Sequence, residues 1–255
     1  MPEYLRMLLI ICPLIFCAGF IDAIAGGGGL IALPAYLFAG LPSHDAIGTN
    51  KFAGGSGLVA SSLKYLKEGK VRLSVAVWSA LGCIGGAAVG GWLALLMPER
   101  ILKMLMLGAV PLVAVFLATR KKLGEEGEAK LLERKKEALL SLCIGFGVGI
   151  YDGMIGPGTG TFLILAFTAF LGLELVSASG CAKVSNLASN LTSIVIYAFS
   201  GNIRYTLAIP AAICSITGSW LGAKVAVKGG GKRVKQFMYV VLCLLFAKMI
   251  YDLIG

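Results

Sequence analysis

The chain alternates long apolar runs with short polar connections from end to end. Ten runs stand out, at roughly 4–25, 30–41, 45–66, 71–97, 100–119, 137–156, 160–173, 178–200, 204–227 and 235–254. A helix needs about 20 predominantly apolar residues to cross the hydrocarbon of a bilayer. Most of the runs are near that length. The runs at 30–41 and 160–173 are too short and, at about 1.5 Å per residue, each covers only about 20 Å. Both follow a glycine cluster, and Pro34 and Pro42 punctuate the first. The pattern predicts an all-α, polytopic helical membrane protein. The two short runs are tilted spans or re-entrant half-helices, with a broken hairpin against the preceding run as the favoured form.

Composition agrees. Of 255 residues 58% are hydrophobic and only 14% charged, against about 25% charged in soluble domains. Apolar runs recurring along the whole length argue against a globule with one anchor. The first run leads directly into a glycine motif, so no cleaved signal peptide is expected. The net charge of +10 is gathered into a few connections, where it reads as membrane topology; no basic stretch is interleaved with aromatics as nucleic-acid binding would require. Seven cysteines lie in apolar surroundings without a C-x-x-C pair, and His44 is the only histidine. They read as small buried residues, with no metal site and no cofactor implied.

One stretch occurs twice. Gly19-Phe20-Ile21-Asp22-Ala23-Ile24-Ala25-Gly26-Gly27-Gly28-Gly29-Leu30 is matched by Gly149-Ile150-Tyr151-Asp152-Gly153-Met154-Ile155-Gly156-Pro157-Gly158-Thr159-Gly160, at an offset of 130. Gly48-Thr49-Asn50-Lys51 matches Gly180-Cys181-Ala182-Lys183 at 132, and Gly69-Lys70-Val71-Arg72 matches Gly201-Asn202-Ile203-Arg204. Gly86 and Gly90 pair with Gly218 and Gly222 at the same offset, on small-residue faces suited to close helix packing. The expected organisation is a first transmembrane repeat over 1–119, a cytoplasmic linker over 120–136 and a second repeat over 137–255.

Lys and Arg concentrate at 64–72, 120–136 and 224–235. The positive-inside rule assigns these connections to the cytoplasm and both termini to the outside. Five segments per repeat then invert the second half relative to the first, as in many secondary transporters. The 120–136 connection, with Glu125, Glu126, Glu128, Glu133 and Glu137 among its basic residues, reads as a solvated, partly helical connector.

Candidate chemistry lies in four ionisable residues within apolar runs: Asp22, Lys51, Asp152 and Lys183. Charges there are costly and usually mark function. The two lysines could meet an anion near the midplane. Half-helices starting at Gly28 and Gly29, and at Gly158, Thr159 and Gly160, would aim backbone N–H groups at the same place. Thr49 and Asn50, with Ser185, Asn186, Ser189 and Asn190, would add neutral hydrogen bonds. Asp22 and Asp152 could couple a proton, pair with a lysine or cap the broken helices, and some amides could simply bridge helices.

The Asp-x-x-x-Gly-Gly-Gly-Gly stretch with its following Leu-Pro, Gly48-Thr49-Asn50-Lys51 and Lys183-Val184-Ser185-Asn186 together resemble the TauE/SafE sulfite exporter family of membrane permeases, over residues 10 to 250. Pro157 departs from the first copy, which has Gly27. The resemblance implies a non-enzymatic permease in a prokaryotic cytoplasmic membrane. Its substrate would be a small sulfur-containing anion such as sulfite, a sulfonate or sulfoacetate. The resemblance does not fix the coupling ion, for which a proton and sodium are the candidates. No Walker-type phosphate loop is present to power it. Two alternatives stand beside this reading, an anion channel and a membrane-embedded aspartyl protease using Asp22 and Asp152.

Overall fold

The structure, a computed structural model, describes residues 3–102, 104–105 and 133–254, with side chains described from Tyr4 to Tyr239. The described residues form eight principal helices: α1 Glu3–Ala25, α2 Gly29–Phe38, α3 Ser43–Lys67, α4 Leu73–Leu96, α5 Arg134–Met154, α6 Thr159–Leu171, α7 Leu175–Phe199 and α8 Tyr205–Ile254. The expected segment at 100–119 lies outside the described residues except at its start, as does the 120–136 connection before Glu133.

Four of these helices are long and apolar enough to cross a membrane: α1, α4, α5 and α8 as far as Tyr239. The last is interrupted at Gly230, where φ is 63° and ψ −167°, so α8 is two successive helices, in line with the separate runs expected at 204–227 and 235–254. Helices α3 and α7 have 25 residues each but are more polar. Leu191, Val195 and Phe199 of α7 face outward, while Asn186, Ser189, Asn190 and Ser193 are buried. Apolar outside and polar inside is the arrangement expected where lipid is the solvent.

Helices α2 and α6 have 10 and 13 residues, about 15 and 20 Å. Helix α2 folds back along α1: a Cβ on Gly28 would lie 2.6 Å from the Asp22 Cβ, and Tyr36 packs in one apolar cluster with Ile11 and Ile15. The reversal needs a left-handed residue, which Gly26 supplies at φ 85°; Gly156 does the same ahead of α6 at φ 92°.

The same correspondence runs through the packing. Helix α4 packs along α5, and α8 along α1. A Cβ on Gly86 or Gly90 would overlap the carbonyls of Phe146 or Ile150, and one on Gly218 or Gly222 those of Phe16 or Phe20. At the element ends, Gly48 sits against the Asn202 carbonyl and Gly180 against the Lys70 carbonyl. The Arg72 N–H donates to Cys181 Sγ at 3.3 Å, and the Arg204 N–H to Thr49 Oγ1 at 3.1 Å.

Glu137 corrects one expectation. It is not part of a solvated connector but belongs to α5, buried, with Arg72 Nη2 at 2.5 Å and the Ser74 hydroxyl donating at 2.7 Å. Burying a carboxylate requires a cation and donors beside it, and these come from the start of α4.

Glycine packing gives a direct test. Gly90→Val places a side chain in the Ile150 backbone and is expected to cost about 1–3 kcal/mol or more, seen as loss of the monodisperse peak on size exclusion in detergent. Gly147→Ala, on the same α5 but with open space beside it, leaves that peak intact.

Candidate functional site

The two glycine turns meet at the centre of the molecule. A Cβ on Gly26 would overlap Gly160 and the Thr161 nitrogen, and one on Gly29 would lie 3.0 Å from the Pro157 Cα. The Thr161 N–H donates to the Gly26 carbonyl at 3.3 Å, and its hydroxyl to the Ala25 carbonyl at 2.9 Å. Only residues without a side chain permit two backbones this close.

Around this crossing each lysine reaches the aspartate of the other copy of the motif. Lys51 Nζ on α3 lies 2.7 Å from Asp152 Oδ2 on α5. Lys183 Nζ on α7 lies 3.0 Å from Asp22 Oδ2 on α1 and also donates to the Asp22 main-chain carbonyl. The glycine turns make room for the amines: a Cβ on Gly156 would sit 3.0 Å from Lys51 Nζ, and one on Gly160 3.2 Å from Lys183 Nζ.

The two pairs differ in their surroundings. Asp152 is 2% exposed and ringed by donors. Thr159 Oγ1 donates to Oδ1 at 2.7 Å, while Ser189 Oγ at 2.6 Å and Asn190 Nδ2 at 3.4 Å donate to Oδ2 beside Lys51. Asp22 is 19% exposed, and besides Lys183 its carboxylate accepts only the Gly28 N–H, at 3.2 Å.

A cavity enclosing about 530 Å³, counting the space at its mouth, opens beside the tetrad. Lys51, Asn50, Asp22, Asp152, Asn186 and Asn190 line it, with Gly26, Gly28, Gly29, Gly156 and Gly160 on its glycine-rich wall. Lys51 spends one of its three donors on Asp152. Among the described residues the Asn50 amide, the Asn186 Nδ2 and the Ser215 hydroxyl have no partner to donate to within the chain. Asn186 Oδ1 accepts from Asn190 Nδ2 at 2.9 Å, which turns the Asn186 amide nitrogen outward from that bond.

Other sequence candidates have different places. Lys183 is fully buried behind Asp22 and does not line the cavity. Thr49 is buried and spends its hydroxyl oxygen on the Arg204 N–H. Ser185 donates to the Cys181 carbonyl of its own helix at 3.0 Å. Gly158 takes the left-handed conformation that caps α6, at φ 81°, and Thr159 serves Asp152.

Cavity residues that the motif reading passed over are Gly19, Gly54, Ser215 and Ser219, together with the turn residues Gly26 and Gly156. The turn pair carried a signal, its constant offset. Ser215 and Ser219 are four apart and interleaved with Gly218 and Gly222, on a helix whose glycines alone were assigned, to packing.

The Lys51–Asp152 pair predicts a specific stability pattern. Lys51→Met leaves a buried carboxylate without its cation and is expected to cost about 3–5 kcal/mol. The double variant Lys51→Met/Asp152→Asn recovers most of that. Thermal unfolding of the detergent-solubilised proteins measures both.

Comparison with known proteins agrees with this architecture. The family model described as sulfite exporter TauE/SafE matches residues 11–249. A "Probable membrane transporter protein" of Haemophilus influenzae is 34% identical, over 93% of this chain and 92% of its own. The "Probable membrane transporter protein ORF9" of a Sinorhizobium species is 31% identical, over 93% and 90%. The "Probable membrane transporter protein YfcA" of Escherichia coli K12 is 28% identical, over 92% and 86%. No solved structure matches. The chain, a multi-pass helical membrane protein, belongs to the TauE/SafE family of membrane transporters.

Proposed function

We propose that this protein is a secondary transporter for a small oxyanion, with sulfur-containing anions such as sulfite, a sulfonate or sulfoacetate as the substrate class. It would work in a prokaryotic cytoplasmic membrane by alternating access between two inverted repeats, 1–119 and 137–255, joined by a cytoplasmic connector over 120–136. A proton or sodium would serve as coupling ion. The observation that carries the reading is a buried cavity whose uncommitted donors converge while its fixed charges cancel. Two ammonium groups and two carboxylates sum to zero, and Lys51, Asn50, Asn186 and Ser215 keep N–H and O–H groups to offer. An oxyanion has several acceptor atoms and suits such a set. Lys183 and Asp22 stand behind as the second ion pair, and Thr49, Ser185 and Thr159 as supports of the surrounding backbone and side chains.

The reciprocal contacts support a two-fold relation between the halves, and the placement of the basic connections favours the inverted form of it: the two motif copies exchange lysines, helix partners and end contacts at matched positions. Such an interface gives a rocking motion two equivalent faces. The protease alternative gains little, since each carboxylate is held by its own ammonium instead of sharing one proton with the other.

Counterflow decides between carrier and channel. Protein in liposomes loaded with unlabelled sulfite is expected to accumulate labelled sulfite transiently, which a channel cannot do. No uptake of sulfite, a sulfonate or sulfoacetate would sink the proposal. Asn50→Ala removes a cavity donor that has no hydrogen-bond partner among the described residues, and is expected to weaken the apparent affinity about tenfold, or roughly 1.4 kcal/mol. Orientation is tested separately: Glu128→Cys is expected to react with an impermeant maleimide only from the cytoplasmic side.

A further inference from the structure

The two ion pairs carry the same residues but are not equivalent, and the difference bears on how transport would be driven; this inference rests on the transport reading above. A monovalent anion entering the cavity takes a neutral tetrad to a net charge of minus one. An uncompensated charge away from water is costly. One proton on a cavity carboxylate restores neutrality, and the geometry selects which one.

Asp152 is a poor receiver. Four donors converge on its two oxygens, and its side chain is 2% exposed. A proton there would displace a donor already in place. It would also weaken the one ion pair that Lys51 makes among the described residues. Asp22 is the more open of the two aspartates that line the cavity, at 19% exposure, and each of its oxygens accepts a single donor. Lys183 also donates to the Asp22 main-chain carbonyl, so it keeps that acceptor when the side chain is neutral, and the bound anion carries the negative charge that balances it. The other groups around Asp22 leave it as the open acceptor. Lys51 and Asp152 are paired to each other across the cavity. Tyr65 of α3 donates to the Ala23 carbonyl at 3.0 Å. Helix α8 offers the neutral hydroxyls of Ser215 and Ser219, α2 the Gly28 N–H, and α6 only glycine.

We propose that Asp22 is the proton carrier of the transport cycle, moving one proton with each monovalent anion, and that Asp152 is the fixed counter-ion of Lys51. The proton passes from water to the Asp22 carboxylate as the anion binds, forming one O–H bond. It returns to water on the opposite side as the anion leaves. No bond in the substrate changes.

Infrared difference spectra between neutral and acidic buffer, on protein in nanodiscs, test the assignment without a substrate. The carboxylic-acid band formed in acid is expected to lose one component in Asp22→Asn and to keep it in Lys51→Met/Asp152→Asn. The opposite pattern, or an unchanged band in Asp22→Asn, overturns it. In liposomes a pH gradient is expected to accumulate sulfite about tenfold per unit, and Asp22→Asn is expected to bring that ratio to one. Counterflow that ignores pH, or that follows a sodium gradient, overturns the proton assignment alone. Absence of counterflow for every anion tried overturns the transport reading, and the proton assignment with it.

Discussion

A charge buried in a membrane protein must find an opposite charge, and here each finds it across the molecule. Lys51 is 2% exposed and Lys183 fully buried; neither could stay charged there alone. Because each ammonium meets the carboxylate of the other motif copy, the halves are tied by two crossed ion pairs at their point of closest approach. The helices that carry these residues are thereby fixed around one centre: α1 and α7 by one pair, α3 and α5 by the other. The cavity forms beside that centre and takes its polar lining from the same helices.

The ion pairs require backbones closer than ordinary side chains allow. Glycine meets that need in two ways. At Gly26 and Gly156 it supplies the left-handed turn that reverses the chain, and at Gly156 and Gly160 it leaves space for the amines. Along α4 and α8 it lets whole helices sit against the carbonyls of α5 and α1. Lipid provides no hydrophobic drive for helices to associate, so this close packing, with its dispersion contacts, supplies much of the cohesion. The polar residues of α3 and α7 are inward because nothing outside could satisfy them.

Asymmetry follows from small substitutions on this shared frame. The second motif has Thr159, and its α7 has Ser189 and Asn190, all of which converge on Asp152. The first motif has Gly29 in place of Thr159 and offers Asp22 little beyond one backbone N–H and its lysine. A more enclosed carboxylate and a more accessible one therefore line one cavity.

The sequence by itself determined the helical membrane class, the repeated motifs and the four ionisable residues, because lipid imposes length and polarity rules that act on local stretches of chain. It also pointed to the broken helices, since glycine runs in apolar segments have few other uses. What only the tertiary structure decided was pairing. No local rule says that Lys51 meets Asp152 rather than Asp22, that Thr49 spends its oxygen on Arg204, or that Glu137 turns inward to Arg72. Nor does any local rule bring Ser215 and Ser219 of α8 to a cavity begun by α1. These contacts join residues far apart in the chain, and the energy that selects them comes from desolvating charges and donors together, which exists only once the helices have packed.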